Sequence, residues 1–509
     1  MVGGRQSARP RRYDHPRWWV PEERLEGAEP PRYNRSVTAT DPHPATRVER
    51  DSMGEVDVPA DALYGASTQR AVLNFPISGQ PFPRRFLRAM GLIKQAAAET
   101  NARLGLLDRD VATAIAESAA AVADGRYDEH FPIDVYQTGS GTSTNTNFNE
   151  VIARLATDRL NGRKVHPNDD VNRCQSSNDT IPTAMQLATA MAIEEELLPS
   201  LERLHRALAA KSREFWPIVK TGRTHLQDAT PIRLGQEFLG YAGEIEESIR
   251  RGRSARDELL VVPLGGTAVG TGINADPAFA AAACARLAEM TVLDVREAPN
   301  HFHAQASLDA AIAAHGGLRT IALSLWKIGS DVRLMGMGPR AGIAELALPD
   351  TQPGSSIMPG KVNPVIVESL TMVVARVVGN DATIGFAQTG SLLELNVMLP
   401  VTAVALLESA SLLAAAADNF AARCIEGLRA TDRGPSLVEQ GLMLATALVP
   451  LIGYDEAATL AKEALRTGKT IRELALARGI DPLQLDELLD PAKMTEPGLD
   501  PGARGGSAG

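Results

Sequence analysis

The chain is 509 residues long, carries a formal net charge of -10 at pH 7, and is 44% hydrophobic but only 4% aromatic. That length buries a large core and suits roughly two to four domains. The acidic balance argues against a nucleic-acid or anionic-membrane partner, so an anionic ligand has to be held by local donors.

Residues 1-46 carry Arg5, Arg9, Arg11 and Arg12, the pair Trp18 and Trp19, several prolines and little aliphatic periodicity, the composition of a disordered extension. The arginines also fit an organelle transit peptide, but Asp14, Glu22, Glu23 and Glu26 speak against it, and no apolar signal-peptide core is present. No run of about 18 consecutive apolar residues occurs, so no membrane span is expected. Cys174, Cys284 and Cys424 lie far apart without ligand spacing, which points to neither a disulfide framework nor an iron-sulfur cluster. A reducing, cytoplasmic compartment is the expectation.

From Arg47 the chain becomes regular: a strand-and-turn entry over 47–63, then helices over 83–105 and 108–124. A polar loop is expected over 131–149, with Thr138, Gly139, Ser140, Gly141, Thr142, Ser143 and Thr144 in succession. It serves either as a set of donors for an anion or as a flexible linker. A second polar knot, 166–179, precedes a long helix marked by Leu197, Leu201, Leu204 and Leu208, with a kink expected at Pro199. Ser176, Ser177 and Asn178 thus stand before a helix N-terminus. A third knot, 221–231, is expected to open a helix with Leu234, Phe238, Tyr241, Ile245 and Ile249 on one face. Its one histidine, His225, is either structural or catalytic.

Long helices follow over 305–335 and 396–428, and their paucity of aromatics suggests an all-α bundle in which small residues let long helices lie close. Between them, residues 354–364 read Gly-Ser-Ser-Ile-Met-Pro-Gly-Lys-Val-Asn-Pro. Asn363 is expected as N-cap and Pro364 as the first residue of a helix with Val367, Leu370, Val374 and Val377 on its buried stripe. Lys361 lies just upstream and Glu368 about a turn inside, so lysine, free N–H groups and helix dipole describe an anion site with Ser355 and Ser356 beside it. Short helices over 454–467, 470–479 and 483–489 suggest a small terminal domain. The expected division is a disordered extension 1-46, an N-terminal domain 47-173, a central long-helix domain 174-435, a C-terminal helical domain 436-495 and a flexible tail 496-509.

The eleven-residue string at 354–364 resembles the signature of the fumarase and aspartase superfamily of lyases. Thr138 to Thr142, His166 to Asp170, Gln175 to Asp179 and Gly222 to Asp228 are most similar to class II fumarases, the metal-free kind. Aspartases more often have alanine at the Ser140 position and threonine at the Ser177 position. The resemblance covers residues 47–495 and implies a homotetramer with a central twenty-helix core and active sites shared by three subunits. It also implies reversible hydration of fumarate to L-malate, without metal or other cofactor. The alternative is aspartate ammonia-lyase or another lyase releasing fumarate from a substituted succinate; a structural, non-catalytic relative is disfavoured because Ser355, Lys361, His225 and Glu368 are all present.

By the same resemblance Ser355 is the base, stabilised as an oxyanion by loop N–H groups and Lys361. His225 is the acid acting through a water and Glu368 orients it, although the base role has also been given to His225 through activated water. Ser140, Thr142, Ser176, Ser177, Asn178, Thr224, Lys361 and Asn363 match substrate-binding positions, and Arg163, His166, Asn168 and Asp169 match an accessory second anion site. Thr146, Phe148 and His303 depart from the family pattern and are expected to reshape the pocket or its subunit contacts.

Overall fold

A computed structural model describes residues 45–498. The extension expected over 1-46 and the tail expected over 496-509 lie outside the described residues except at their inner ends.

Strands β1 (Thr46–Asp51) and β2 (Gly54–Pro59) form a ribbon, followed by helices α1 (Ala66–Asn74), α2 (Arg84–Arg103) and α3 (Arg109–Ala123). Helices α2 and α3 cross closely at Gly91, where an added Cβ would lie 2.7 Å from the Ala123 backbone nitrogen and 2.9 Å from the Ala119 carbonyl oxygen. Asp108 caps α3 by accepting from Asp110 and Val111 N–H.

The stretch expected as a loop over 131–149 becomes helical at its end. Gly141, in the left-handed conformation (φ 70°), turns the chain into α4 (Thr142–Arg159). The period is hidden in the sequence because Thr144, Asn145, Asn147 and Asn149 are polar yet buried. Helix α5 (Ser177–Ala192) leads through a π-turn, Ile193–Leu197, into α6 (Leu198–Phe215). The wider turn absorbs the N–H missing at Pro199, and Ser200 Oγ donates to Glu196 O at 2.8 Å.

The third knot does not open a helix. It forms an antiparallel hairpin, β3 (Val219–Thr224) and β4 (Gln227–Arg233), and helix α7 (Leu234–Glu258) starts only afterwards. Its five expected face residues, Leu234 to Ile249, are all buried. A parallel pair, β5 (Val261–Val262) with β6 (Arg296–Glu297), brackets α8 (Phe279–Thr291). The short helix α9 (His301–Ala306) precedes α10 (Asp309–Met335), so the long helix begins later than expected.

After β7 (Leu346–Ala347) comes α11 (Val365–Ala387). Asn363 does not cap it: its Nδ2 donates instead to Gly354 O at 2.8 Å, and Pro364 takes the boundary position. The small hairpin β8 (Ser391–Leu392) and β9 (Leu395–Asn396) leads into α12 (Leu399–Phe420). A π-turn extends α12 to Ile425; by length and composition the whole stretch is apolar enough to cross a membrane, yet 61% of its apolar window is buried within the fold. Strand β10 (Arg429–Ala430) pairs with β7.

One apolar core runs from Val58 to Leu428, built mainly from α2, α3, α5, α6, α7, α10, α11 and α12. A separate one, Leu444 to Leu489, joins a 3-10 turn after α13 (Arg433–Val438) to α14 (Val449–Ile452), α15 (Tyr454–Thr467), α16 (Ile471–Ala477) and α17 (Pro482–Leu488). The chain is a mainly helical, long-helix fold, and among the described residues its sheets are all two-stranded. All three cysteines are free and buried.

Candidate active site

The first two knots meet within one chain. Gly139 has no room for a side chain, because its Cβ position would run into the Val397 carbonyl, and its own carbonyl accepts from Leu399 N–H at 3.0 Å. This fixes Ser140 at the mouth of α4. Ser140 Oγ lies 2.8 Å from Thr142 Oγ1, which lies 2.7 Å from Ser177 Oγ at the start of α5. Ser140 and Ser177 are buried and Thr142 is exposed, so the hydroxyl chain opens to solvent at Thr142. Ser176 caps α5 by accepting from Asn178 N–H at 3.2 Å, and Asn178 Nδ2 donates to Ala268 O at 2.8 Å. The result is a set of hydroxyl and amide donors at two helix N-termini, suited to a carboxylate.

Beneath this cluster lie two charged groups that the sequence reading missed. Lys94 is fully buried on α2 and donates to Asn145 Oδ1, Asn172 Oδ1 and Gln175 Oε1 at 2.8, 3.1 and 3.0 Å. Burial draws its ammonium down to about 7, opposed by the field of Asp179. Asp179 is also fully buried, and burial pushes its carboxyl up to about 6 against the hydrogen bonds from Ser176, Thr267, Gly265 and Thr180. Both left a signal: Lys94 interrupts the stripe of Met90, Ile93 and Ala97, and Ser176-x-x-Asp179 has capping-box spacing.

His225 and Leu226 form the two-residue turn of the β3–β4 hairpin, with φ of 55° and 60°. Such a turn ordinarily takes Asn-Gly, so a histidine and a leucine there are strained by about 1–3 kcal/mol each. The strain projects both side chains, and neighbouring Thr224, into the open. The base of the hairpin is held by a buried ion cluster: Lys220 with Glu237 and Glu345 at 2.8 and 3.0 Å, and Arg223 with Glu345 at 2.9 Å.

The 354–364 segment closes on itself. Gly354 N–H donates to Lys361 O at 2.7 Å, and Asn363 ties the same turn from the other side. Inside it Ser355 Oγ accepts from Ile357 N–H at 3.2 Å and Met358 N–H at 2.9 Å. Two backbone donors on one hydroxyl favour its oxyanion. Ser355 is half-buried, and Ser356, Lys361 and Glu368 are exposed. Among the described residues no hydrogen bond or ion pair joins His225, Ser355, Lys361 or Glu368 to one another or to the donor cluster.

A lyase family model matches residues 54–379, and a model of the fumarase C C-terminus matches 444–496. The class II fumarate hydratase of Mycobacterium tuberculosis is 52% identical over 446 residues, 87% of this chain and 94% of that protein. The chain belongs to the class II fumarate hydratase family. Its counterpart from Methylorubrum extorquens is 50% identical over 466 residues, 90% of this chain and 99% of the relative. A crystal structure of recombinant class II fumarase from Schistosoma mansoni superposes with a TM-score of 0.86 at 38% identity, covering 89% of this chain and 99% of that one.

The residues matched to the family's second anion site lie together but apart from the donor cluster. Arg163 pairs with Asp108 at 3.3 Å, Asp169 N–H donates to His166 Nδ1 at 3.1 Å, and Asn168 is exposed on the same π-turn. Of the three departures from the family pattern, Phe148 is a core residue, its ring 4.2 Å from that of Phe131. Thr146 is half-buried on α4. His303 bonds Asp309 at 2.9 Å and lines a cavity of about 630 Å³, with Gln186, Asp257 and Asn300, that includes none of the donor cluster. Among the described residues no group of three His, Cys, Asp or Glu side chains is arranged to hold a metal ion.

Proposed function

We infer that this chain catalyses the reversible hydration of fumarate to L-malate by anti addition and elimination through an aci-carboxylate intermediate. The observation that carries the reading is Ser355 Oγ accepting two backbone N–H groups, the environment an ionised serine base requires.

In the dehydration direction Ser355 takes the weakly acidic proton beside one carboxylate, and negative charge spreads onto that carboxylate. Lys361 and Asn363 face the developing charge, while Ser140, Thr142, Ser176, Ser177, Asn178 and Thr224 anchor the dicarboxylate. His225, oriented by Glu368, delivers a proton through water to the departing hydroxide. Arg163, His166, Asn168 and Asp169 serve as an accessory anion site.

The separation of these groups within one chain supports a homotetramer in which three subunits complete each site. Further support comes from the long helices, which leave Leu239 on α7, Leu323 and Trp326 on α10, and Met372, Val378 and Phe386 on α11 exposed. On the same helices Gly240, Gly243, Gly316, Gly379 and Gly385 leave open space where a Cβ would stand, which lets partner helices approach closely.

The test follows fumarate's ultraviolet absorbance with purified protein and either L-malate or L-aspartate. A rise with malate alone, abolished by Ser355→Ala, supports the reading. A rise with aspartate alone replaces hydration by ammonia release, and silence with both sinks the assignment of substrate.

A further inference from the structure

A helix cap needs one oxygen of its carboxylate, and Asp179 uses both. Oδ1 accepts from Ser176 N–H at 2.8 Å and Thr180 Oγ1 at 3.1 Å, which completes the capping box of α5. Oδ2 accepts from Gly265 N–H at 3.0 Å and Thr267 N–H at 2.9 Å, on a loop 86 and 88 residues further along the chain. A fully buried carboxylate without a contacting cation is costly unless every lone pair is used, and here four donors use them. Lys94, the buried cation nearby, spends its hydrogen bonds on Asn145, Asn172 and Gln175 instead.

The clamped loop returns to the site. Ala268 O accepts from Asn178 Nδ2 at 2.8 Å, and Gln305 Nε2 donates to both Thr267 O and Ala268 O at 3.0 Å. With one Nδ2 hydrogen on Ala268, the Asn178 amide has a single orientation. Its Oδ1 faces Ser177 Oγ at 3.4 Å, and its second Nδ2 hydrogen remains for a ligand. We propose that Asp179 is a positioning residue for hydration, orienting Asn178 and Ser177 toward the Ser140–Thr142 pair by clamping the 265–268 loop to the start of α5. This rests on the donor cluster being the dicarboxylate site.

Asp179→Asn keeps an oxygen for the Ser176 cap and turns an amino group toward the Gly265 and Thr267 amides. The donors it misplaces hold the substrate in ground and transition states alike, so KM for L-malate rises about 10-fold or more while kcat changes less than about 3-fold. Amides of 265–268 exchange hydrogen faster while α10 keeps its protection. Gln305→Met leaves Asp179 and the cap intact and removes only the loop's other anchor, so it raises KM in the same direction by a few-fold even if the first variant does not fold. Unchanged KM and unchanged loop exchange in folded Asp179→Asn overturn the proposal. So does a Gln305→Met loss confined to kcat and thermal stability. Loop release in a chain whose wild type is inert to malate upholds the clamp and sinks the functional reading instead.

Discussion

Ser140, Thr142, Ser177 and Asn178 are bonded together inside one chain and rooted at the N-termini of α4 and α5, whereas His225 and Ser355 stand on open turns with no bond to that cluster. The groups of the donor cluster, proposed to grip a dicarboxylate, are preorganised by a single fold: buried hydroxyls, a capping box, and Lys94 and Asp179 beneath them. The groups assigned to proton transfer are shaped locally, one by a strained two-residue turn and one by a self-closed loop, and among the described residues neither is bonded to the donor cluster. The geometry of the donor cluster is therefore a property of the chain, whereas the placement of the proposed catalytic groups, and of Thr224, Lys361 and Asn363 with them, is a property of the assembly proposed above.

Changes to the exposed turns should strike turnover, and changes beneath the cluster should strike affinity or stability. Ser355→Ala removes the proposed base and lowers kcat in both directions by about 10³-fold with the fold intact, measured by fumarate absorbance and circular dichroism. His225→Asn is the next largest: hydration falls about 10²-fold, and an activity that survives undiminished would favour a leaving group needing no acid. Gly139→Ala drives a methyl into the Val397 carbonyl and costs about 1–3 kcal/mol in denaturant unfolding, since the backbone on both sides is fixed.

The smallest effect is on pH dependence. Burial holds Lys94 at about 7, below its ordinary 10.5, so the stability tied to its neutral form is full above 10.5 and is lost as pH falls through 7. Asp179, raised to about 6 from 3.8, runs oppositely: the stability tied to its protonated form is full below 3.8 and is lost as pH rises through 6. Lys94→Met consequently flattens the rise in Tm between pH 7 and 10.

The long helices were legible because their apolar stripes are regular: the five face residues of α7 and the four of α11 are buried as their spacing required. The polar knots were legible as strings but not as shapes. Thr142 to Asn149 hid a helix because its interior face is amide and hydroxyl. The 221–231 knot hid a hairpin because His-Leu is an unlikely sequence for a turn with two positive φ angles. Asn363 looked like a cap, yet the turn around Gly354 claims its side chain. What spacing could not reveal was which knots meet, since the Thr142–Ser177 bond joins residues 35 apart and the Asp179 clamp joins residues 86 apart.

The most direct test of the division between chain and assembly mixes two inactive proteins. His225→Asn and Ser355→Ala variants, dissociated and reassociated together in equal amounts, should regain about a quarter of wild-type malate dehydration, because sites drawing each residue from a different subunit are intact at that frequency. Mixed oligomers that form but stay inactive would place both residues' work within one subunit and contradict the account.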